Sequence, residues 1–145
     1  AAAQHFHSSA PRVPTTLCSL ELTEQFLITP QRLEAVIELL HGHPMAHILP
    51  DVLRYYFEFH QAQGEGYQAQ IHDLLTCMIA LGQIDFDVVE TTVDVEAESP
   101  LLRGTSVADL RNHWGRAHNA RLVTSADMEA AHQECLRGFT LLASR

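Results

Sequence analysis

Residues 15–36 have the sequence TTLCSLELTEQFLITPQRLEAV. The first eight, TTLCSLEL, are rich in apolar and β-branched residues, which predicts a buried strand over 15–22. Thr29 and Pro30 follow as a favoured N-cap and a favoured first helical residue, and an apolar repeat with helical spacing continues up to Gly42. The stretch therefore predicts a strand followed by an amphipathic helix, which is typical of a protein with helices packed on a sheet.

The remaining sequence alternates further predicted helices and strands. A helix is predicted to open at Pro50, and a short one after His72, with Asp73 as its N-cap and Gly82 just past its end. The other predicted elements are a strand pair over 86–97 and 101–109 joined around Ser99, a strand over 120–124 and a helix from about Ser125. Strands interleaved with helices predict an α/β fold with a mixed or parallel sheet and packed helices.

Composition excludes several classes of protein. The chain has 145 residues, of which 46% are apolar and 19% charged, which fits a folded globular domain and not a disordered chain. The net charge of −9 argues against nucleic acid or an anionic membrane as the main partner. No apolar run reaches the roughly 18 residues of a membrane span, and no secretory signal opens the chain, so we expect a cytoplasmic protein. Because the first residue is Ala1 rather than Met, we also expect further residues upstream.

Ten histidines are unusual in a chain of this length, and the densest group lies in the segment HGHPMAH. His41, His43 and His47 offer three imidazoles, to which a zinc site would add a fourth ligand. Gly42 and Pro44 break any common helix face, and the segment HGHPMAH itself contains no Cys or carboxylate as a fourth ligand. A polar loop between helices is the simpler interpretation, and a zinc-binding domain stays an alternative hypothesis.

His72 and Asp73 place an imidazole and a carboxylate at the predicted start of a helix, beside unpaired backbone N–H groups. Such a pair can donate a proton and hold a cation, although an Asp N-cap after an unrelated His is also an ordinary helix start. Tyr56 and His60 lie one helical turn apart and are first interpreted as a core aromatic residue and a polar residue near a helix end. The sequence contains neither a G-x-S-x-G nucleophile elbow nor a phosphate-binding glycine loop.

Four motifs in a fixed order resemble the C-terminal half of the inosine-uridine preferring nucleoside hydrolases. In that family a strand ends in a D-V-T-like turn and leads into a helix opened by T-P; an H-D-P motif and a V-E-x-x-x-x-x-T-R-G-x-T-x-x-D segment follow. The counterparts in this chain are Leu20 to Thr23, Thr29-Pro30, His72-Asp73, and Glu96 through Arg103-Gly104-Thr105 to Asp109. Leu74 replaces the usual proline of the third motif. The resemblance covers essentially the whole chain.

The resemblance implies that the protein hydrolyses the N-glycosidic bond of a ribonucleoside, with a calcium ion that coordinates the ribose hydroxyls and the attacking water. His72 matches the family's histidine at the leaving-base end of the pocket, which makes it a candidate proton donor to the departing base, and Asp73 matches a calcium-ligating aspartate. Tyr56 and His60 resemble the residues of the helix that lines the base pocket, with Tyr67 as another contender. The expected partner is a ribonucleoside substrate, and the intact protein is expected to be a homo-oligomer.

The family's N-terminal D-x-D-x-G-x-D-D loop supplies most of the calcium ligands and the general base. Neither this loop nor the family's ribose-binding asparagine and glutamate has a counterpart in the chain. Residues 1–145 are therefore interpreted as the C-terminal part of one Rossmann-type domain, with the N-terminal half absent and the isolated chain inactive. A truncated homologue that acts as a binding or assembly module is the alternative. If the chain is a fragment, apolar faces meant for the missing half make it prone to associate.

Overall fold

The computed structural model describes residues 2–7 and 14–144. In chain order its elements are α1 (Ala2–His7), β1 (Thr16–Cys18), α2 (Leu20–Thr23), β2 (Leu27–Ile28), α3 (Pro30–Leu39), α4 (Met45–Ala62), β3 (Ala69–Gln70), α5 (His72–Ala80), β4 (Phe86–Thr91), β5 (Val93–Val95), β6 (Ser106–Ala108), β7 (Ala120–Ala126) and α6 (Met128–Ala143). Within these ranges, no helix combines the length and the apolar character that crossing a membrane requires.

The chain divides into two compact units, of which the first comprises Ala1–Ser19 and Phe86–Ser125. Here β1, β7 and β4 form a three-stranded sheet in that order, and β1 runs parallel to β7. β5 and β6 form a separate antiparallel pair, as the sequence predicts for the segments on either side of Ser99. Phe6, Val93 and Ala120 form one buried hydrophobic cluster of this unit.

The predicted strand over 86–97 is divided into β4 and β5, which belong to different sheets. The change of partner occurs between Thr91 and Thr92. The Thr91 carbonyl accepts from the Asn119 N–H at 3.1 Å, whereas the Thr92 carbonyl accepts from the Asp109 N–H at 2.8 Å. Two neighbouring carbonyls thus bond two different segments, which a run of β-formers in the sequence does not reveal.

The predicted strand over 15–22 is shorter in the structure, because β1 ends at Cys18 and the helical turn α2 follows. The Leu20 carbonyl accepts from the Glu24 N–H at 2.9 Å, and the Thr23 hydroxyl donates to the same carbonyl at 3.3 Å. These local bonds offer the backbone an alternative to a sheet ladder. The strand prediction is therefore correct for the first part of the segment and wrong for its end.

The second unit comprises Leu20–Asp85 and Ala126–Arg145 and contains the helices α2 to α6 with the antiparallel pair of β2 and β3. In this pair Ile28 lies opposite Ala69. α3 contacts both α4 and α6, and α2 contacts α5. The buried core cluster consists of Ile28, Leu33, Phe57 and Ala69. Together the two units confirm an α/β fold with parallel and antiparallel pairing and packed helices.

The start of α3 matches the prediction from the sequence. Thr29 Oγ1 accepts from the Arg32 N–H at 3.4 Å, and Pro30 occupies the first helical position. The helix ends at Leu39, and Gly42 follows with a φ of 82°, a conformation that glycine adopts without strain. Both ends of this helix are therefore set by local chemistry.

The start of α4 differs from the prediction, because the helix begins at Met45 and Pro50 lies inside it. The His43 side chain initiates the helix: its Nδ1 accepts from the Met45 N–H at 3.2 Å, and the Ala46 N–H bonds to the His43 carbonyl at 3.0 Å. Pro44 occupies the N-cap position. A second proline and a histidine thus start the helix before Pro50 is reached, and the predicted start is wrong.

His132 on α6 is buried, with 8% of its surface exposed, and its ring stacks on Phe26 at a centroid distance of 4.6 Å. Burial, together with the Arg32 guanidinium, lowers the pKa of His132 from 6.5 to about 4, and Glu129 opposes this shift. The folded state therefore holds the ring neutral at pH values at which the unfolded chain protonates it.

We expect His132 to reduce the free energy of unfolding by about 3 kcal/mol as the pH falls from 6.5 to about 4, because only the unfolded state gains a proton in this window. Above pH 6.5 the ring is neutral in both states, and its contribution is constant. Urea unfolding of the wild type and of His132→Gln at several pH values measures the difference, with His47→Gln at an exposed position as the matched control. Identical pH profiles for the wild type and His132→Gln would contradict this expectation.

Candidate active site

The short antiparallel pair of β2 and β3 fixes the position of the segment that leads into His72. β2 and β3 place Leu27 opposite Gln70, and the Ile71 N–H donates to the Phe26 carbonyl at 3.0 Å. α5 begins at the next residue, His72. The start of α5 is thus held beside the turn that follows α2.

The His72 ring is half-buried, and its Nδ1 lies 2.9 Å from Thr23 Oγ1. Thr23 is only 5% exposed, and its hydroxyl donates to the Leu20 carbonyl at 3.3 Å. The Thr23 hydroxyl is therefore the hydrogen-bond partner of His72 Nδ1. Nε2 has no hydrogen-bond partner among the described residues and is the nitrogen available to a ligand.

Asp73 is exposed and lies in the first turn of α5. The sequence predicts Asp73 as the N-cap, and this prediction is wrong, because the helix already begins at His72 and Ile71 occupies the capping position. The Ile71 side chain is apolar and forms no cap. The Asp73 carboxylate therefore remains exposed in the first turn of α5 without a capping role.

The described residues contain no group of three His, Cys, Asp or Glu side chains placed to hold a metal ion. Calcium takes about 6–8 oxygen ligands, so the described residues do not fit calcium by themselves, and the role of Asp73 as a ligand stays a prediction. The zinc hypothesis gains no support from His41, His43 and His47. His43 instead accepts a hydrogen bond at the start of α4.

Tyr56 and His60 contact each other on α4, with ring centroids 4.8 Å apart in an edge-to-face arrangement. His60 is 4% exposed, its Nδ1 lies 2.5 Å from Glu65 Oε2, and its Nε2 has no partner within the described residues. Tyr56 and Ile71 pack against the same core cluster. In the part of the chain that the structure describes, no hydrogen bond or ring contact joins this pair to His72. Their place in a base pocket stays a prediction.

Tyr67, the other candidate for the base pocket, differs from His60 in its accessibility. Its ring contacts Phe57 edge to face at a centroid distance of 5.2 Å, and 42% of its surface is exposed. The exposed part of the Tyr67 ring is accessible for stacking with a base, whereas the His60 ring becomes accessible only if its surroundings move.

The acidic residues of the fourth motif bind backbone groups in the first unit. Glu96 Oε1 accepts from the N–H groups of Ser99 and Glu98 at 2.9 and 2.7 Å, and these two bonds, that of Ser99 foremost, lower the pKa of Glu96. The Gly104 N–H donates to the Glu96 carbonyl at 2.7 Å. Glu96 thereby fixes the loop between β5 and β6.

Asp109 ends the same motif and fixes the next loop. Its two carboxylate oxygens accept from the N–H groups of His113 at 2.9 Å and Trp114 at 2.7 Å. Burial by itself raises the pKa of Asp109, but the N–H groups of Trp114, His113 and Arg111 outweigh it and bring the pKa below its usual value. Both acidic residues of this motif thus have structural roles.

Thr23 is a residue of this site that sequence reasoning missed. The sequence around Thr23 does not predict its contact with His72. The two residues are 49 positions apart in the chain. The available signal is that Thr23 ends the LELT segment, which resembles the D-V-T-like turn of the family. That signal indicates a turn and leaves the role of the hydroxyl open.

The structure defines an α/β protein in which a half-buried histidine at the start of a helix is held by a buried threonine and followed by an exposed aspartate. The family described as inosine-uridine preferring nucleoside hydrolase matches residues 1–133. The chain belongs to this family, and the resemblance noted from its motifs is confirmed.

Individual relatives and solved structures agree with this membership. The chain is 27% identical over 118 residues to the pyrimidine-specific ribonucleoside hydrolase RihA of Shewanella sp. (strain MR-7), a match that covers 81% of this chain and 36% of the relative. It is 26% identical to RihA of Salmonella typhi, of which it covers 37%. It shares its fold with a purine-preferring ribonucleoside hydrolase from Gardnerella vaginalis, at a TM-score of 0.78 and 19% identity, covering 98% of this chain and 43% of that one. The chain thus spans little more than a third of the length of these curated relatives.

Proposed function

We propose that the protein to which this chain belongs hydrolyses the N-glycosidic bond of ribonucleosides to ribose and free base, and that this chain supplies the leaving-group side of the site. Family membership supports the class of reaction. The observation that carries the assignment is the bond between His72 Nδ1 and Thr23, which leaves Nε2 of the half-buried ring available to a ligand. The relatives include one called pyrimidine-specific and one called purine-preferring, so their names support no single base preference.

In the proposed reaction His72 Nε2 donates its proton to a ring nitrogen of the departing base as the glycosidic bond breaks. The electron pair of that bond passes to the base, and the proton neutralises the negative charge that develops there. A water molecule bonds to the anomeric carbon and gives its proton to a general base outside the described residues, which completes ribose. Tyr56 and His60, with Tyr67 as the accessible contender, belong to the proposed base pocket, where aromatic rings stack on a nucleobase.

We further propose that residues 1–145 are the C-terminal part of one nucleoside hydrolase domain and that the intact protein is a homo-oligomer. The share of each relative that the chain covers supports the first part of this proposal. Asp73 is proposed to contribute one carboxylate to a calcium ion, whose further ligands would lie outside the described residues. The isolated chain is accordingly expected to be inactive.

The full-length protein is expected to release free ribose from inosine or uridine, whereas the 145-residue chain is not. Chelation with EDTA is expected to abolish this release, and added calcium to restore it, because the proposed site binds the substrate through the metal. A reducing-sugar assay with and without chelator measures both effects. Ribose release that EDTA leaves unchanged would contradict the calcium dependence. A folded full-length protein that releases no ribose from any ribonucleoside would overturn the proposed function and favour a binding or assembly module.

A further inference from the structure

We infer that Thr23 is a positioning residue that holds His72 in the Nδ1–H tautomer, so that Nε2 is the nitrogen that exchanges a proton with the substrate. The tautomer itself follows from the geometry of the second unit alone. Its meaning for catalysis rests on the proposed function of His72. The two parts are therefore tested by different measurements.

Two contacts indicate the direction of the Thr23 hydroxyl proton. The hydroxyl donates to the Leu20 carbonyl at 3.3 Å and lies 2.9 Å from His72 Nδ1. A carbonyl oxygen only accepts, so the hydroxyl proton points towards Leu20 and the hydroxyl oxygen accepts from Nδ1–H. Thr23 is buried and belongs to α2, which contacts α5, so its hydroxyl is held in place on the side from which it reaches the ring.

The backbone that brings Thr23 and His72 together does not depend on the Thr23 hydroxyl. β2 pairs with β3, and the Ile71 N–H bonds to the Phe26 carbonyl at 3.0 Å, which joins the residues just after Thr23 to the residue just before His72. A Thr23→Val substitution keeps the shape of the side chain and this backbone pairing. It removes the hydrogen bond to the ring and the bond to the Leu20 carbonyl, which still accepts from the Glu24 N–H at 2.9 Å, so the backbone of the turn keeps its own hydrogen bond.

The fixed tautomer determines the path of the proton. The imidazolium form of His72 carries protons on both nitrogens, and Nδ1–H stays bonded to Thr23 Oγ1. When Nε2 gives its proton to the departing base, the ring becomes the neutral Nδ1–H tautomer, which makes the same bond to Thr23. The ring then takes up its next proton at Nε2 without a ring flip. The imidazolium and the neutral imidazole therefore share one ring orientation.

The test is a two-bond ¹H–¹⁵N NMR spectrum of the ¹⁵N-labelled full-length protein at a pH of about 8.5, two units above the ordinary pKa of histidine. His72→Gln assigns the His72 signals among those of the other histidines. We expect the wild-type ring to show a protonated Nδ1 and an unprotonated Nε2. Thr23→Val is expected to shift the tautomer ratio about fivefold towards Nε2–H. This is the change in an equilibrium constant that the loss of one typical hydrogen bond causes. Thr23→Ser, which keeps the hydroxyl, is expected to retain the wild-type ratio.

A wild-type His72 in the Nε2–H tautomer would overturn the inference, whatever the variants do, and so would an unchanged ratio in a folded Thr23→Val chain. In the full-length protein Thr23→Val is expected to lower kcat about fivefold with little change in KM, and Thr23→Ser is expected to restore kcat. Equal kcat for the wild type and Thr23→Val would overturn the positioning role. A protein that shows the expected tautomer but hydrolyses no ribonucleoside would refute the proposed function and leave the tautomer standing.

Discussion

His72→Ala is expected to lower kcat for ribose release from inosine or uridine by about 10²–10⁴-fold, the usual contribution of a general acid. Without the imidazole the base departs as an anion or takes its proton from water, and the transition state loses the charge neutralisation that Nε2–H supplies. KM is expected to change much less, because the proton is transferred in the transition state and not in the bound substrate. A reducing-sugar assay of the full-length protein over a range of substrate concentrations separates the two parameters.

Two controls separate the loss of a proton donor from a general loss of structure. His41→Ala removes an exposed histidine of the same unit and is expected to leave kcat unchanged. A riboside with a nitrophenolate leaving group needs no proton to depart, so His72→Ala is expected to cleave it almost as fast as the wild type does. If His72→Ala lost both activities equally, its role as proton donor would be refuted, and an unchanged kcat on inosine would refute any role in the reaction.

The sequence predicts those features of the fold whose causes lie within a few residues. α3 begins at Pro30 because Thr29 and Pro30 are adjacent, and it ends near Gly42 because glycine accepts a positive φ. The pairing of β5 with β6 follows from two β-prone segments on either side of Ser99. The position of His72 at the start of a helix is predicted for the same reason, from the apolar run that follows it.

Features that depend on distant residues cannot be predicted from the local sequence. The division between β4 and β5 is decided by the partners that the Thr91 and Thr92 carbonyls find elsewhere in the chain. Asp73 is not a cap because the pairing of β2 with β3 fixes where α5 begins. In each case the deciding contact has no signature in the local pattern of residues.

The candidate site repeats this division between local and distant causes. Its histidine and aspartate are neighbours in the sequence, and their resemblance to a family motif identifies them together. Thr23 is recognisable only as part of a turn, because its contact with His72 spans 49 positions. The proposed proton donor depends on both: the local sequence supplies the imidazole, and the distant threonine is proposed to determine which of its nitrogens faces the substrate.

Asn119 is another residue whose importance arises from distant contacts. It is 7% exposed, its Nδ2 donates to the carbonyls of Phe6 at 2.7 Å and Val93 at 2.8 Å, and its Oδ1 accepts from the Val93 N–H at 2.7 Å. The side chain therefore satisfies both backbone groups of a residue in β5 and at the same time binds α1. Three buried backbone groups of the first unit depend on one amide.

Asn119→Ala is expected to lower the free energy of unfolding by about 4 kcal/mol, because each buried backbone group left without a partner accounts for about 1–3 kcal/mol. This is a large fraction of the roughly 5–15 kcal/mol that stabilises a typical protein, so the variant is expected to unfold at a much lower urea concentration. Urea denaturation followed by circular dichroism measures the loss. Hydrogen exchange of the Val93 amide is expected to accelerate, which would show that the loss of stability arises at Val93.

Two further variants test whether the hydrogen bonds of Asn119 cause this loss. Gln4→Ala removes an exposed amide from the same unit and is expected to change the stability by less than about 0.5 kcal/mol. Asn119→Asp keeps the acceptor for the Val93 N–H but turns a carboxylate oxygen towards two carbonyls, so it is expected to be at least as destabilised as Asn119→Ala at neutral pH. At low pH the protonated acid can donate one of the lost bonds, and Asn119→Asp should then become more stable than Asn119→Ala. An Asn119→Ala protein within about 1 kcal/mol of the wild type would show that the Phe6 and Val93 groups find other partners.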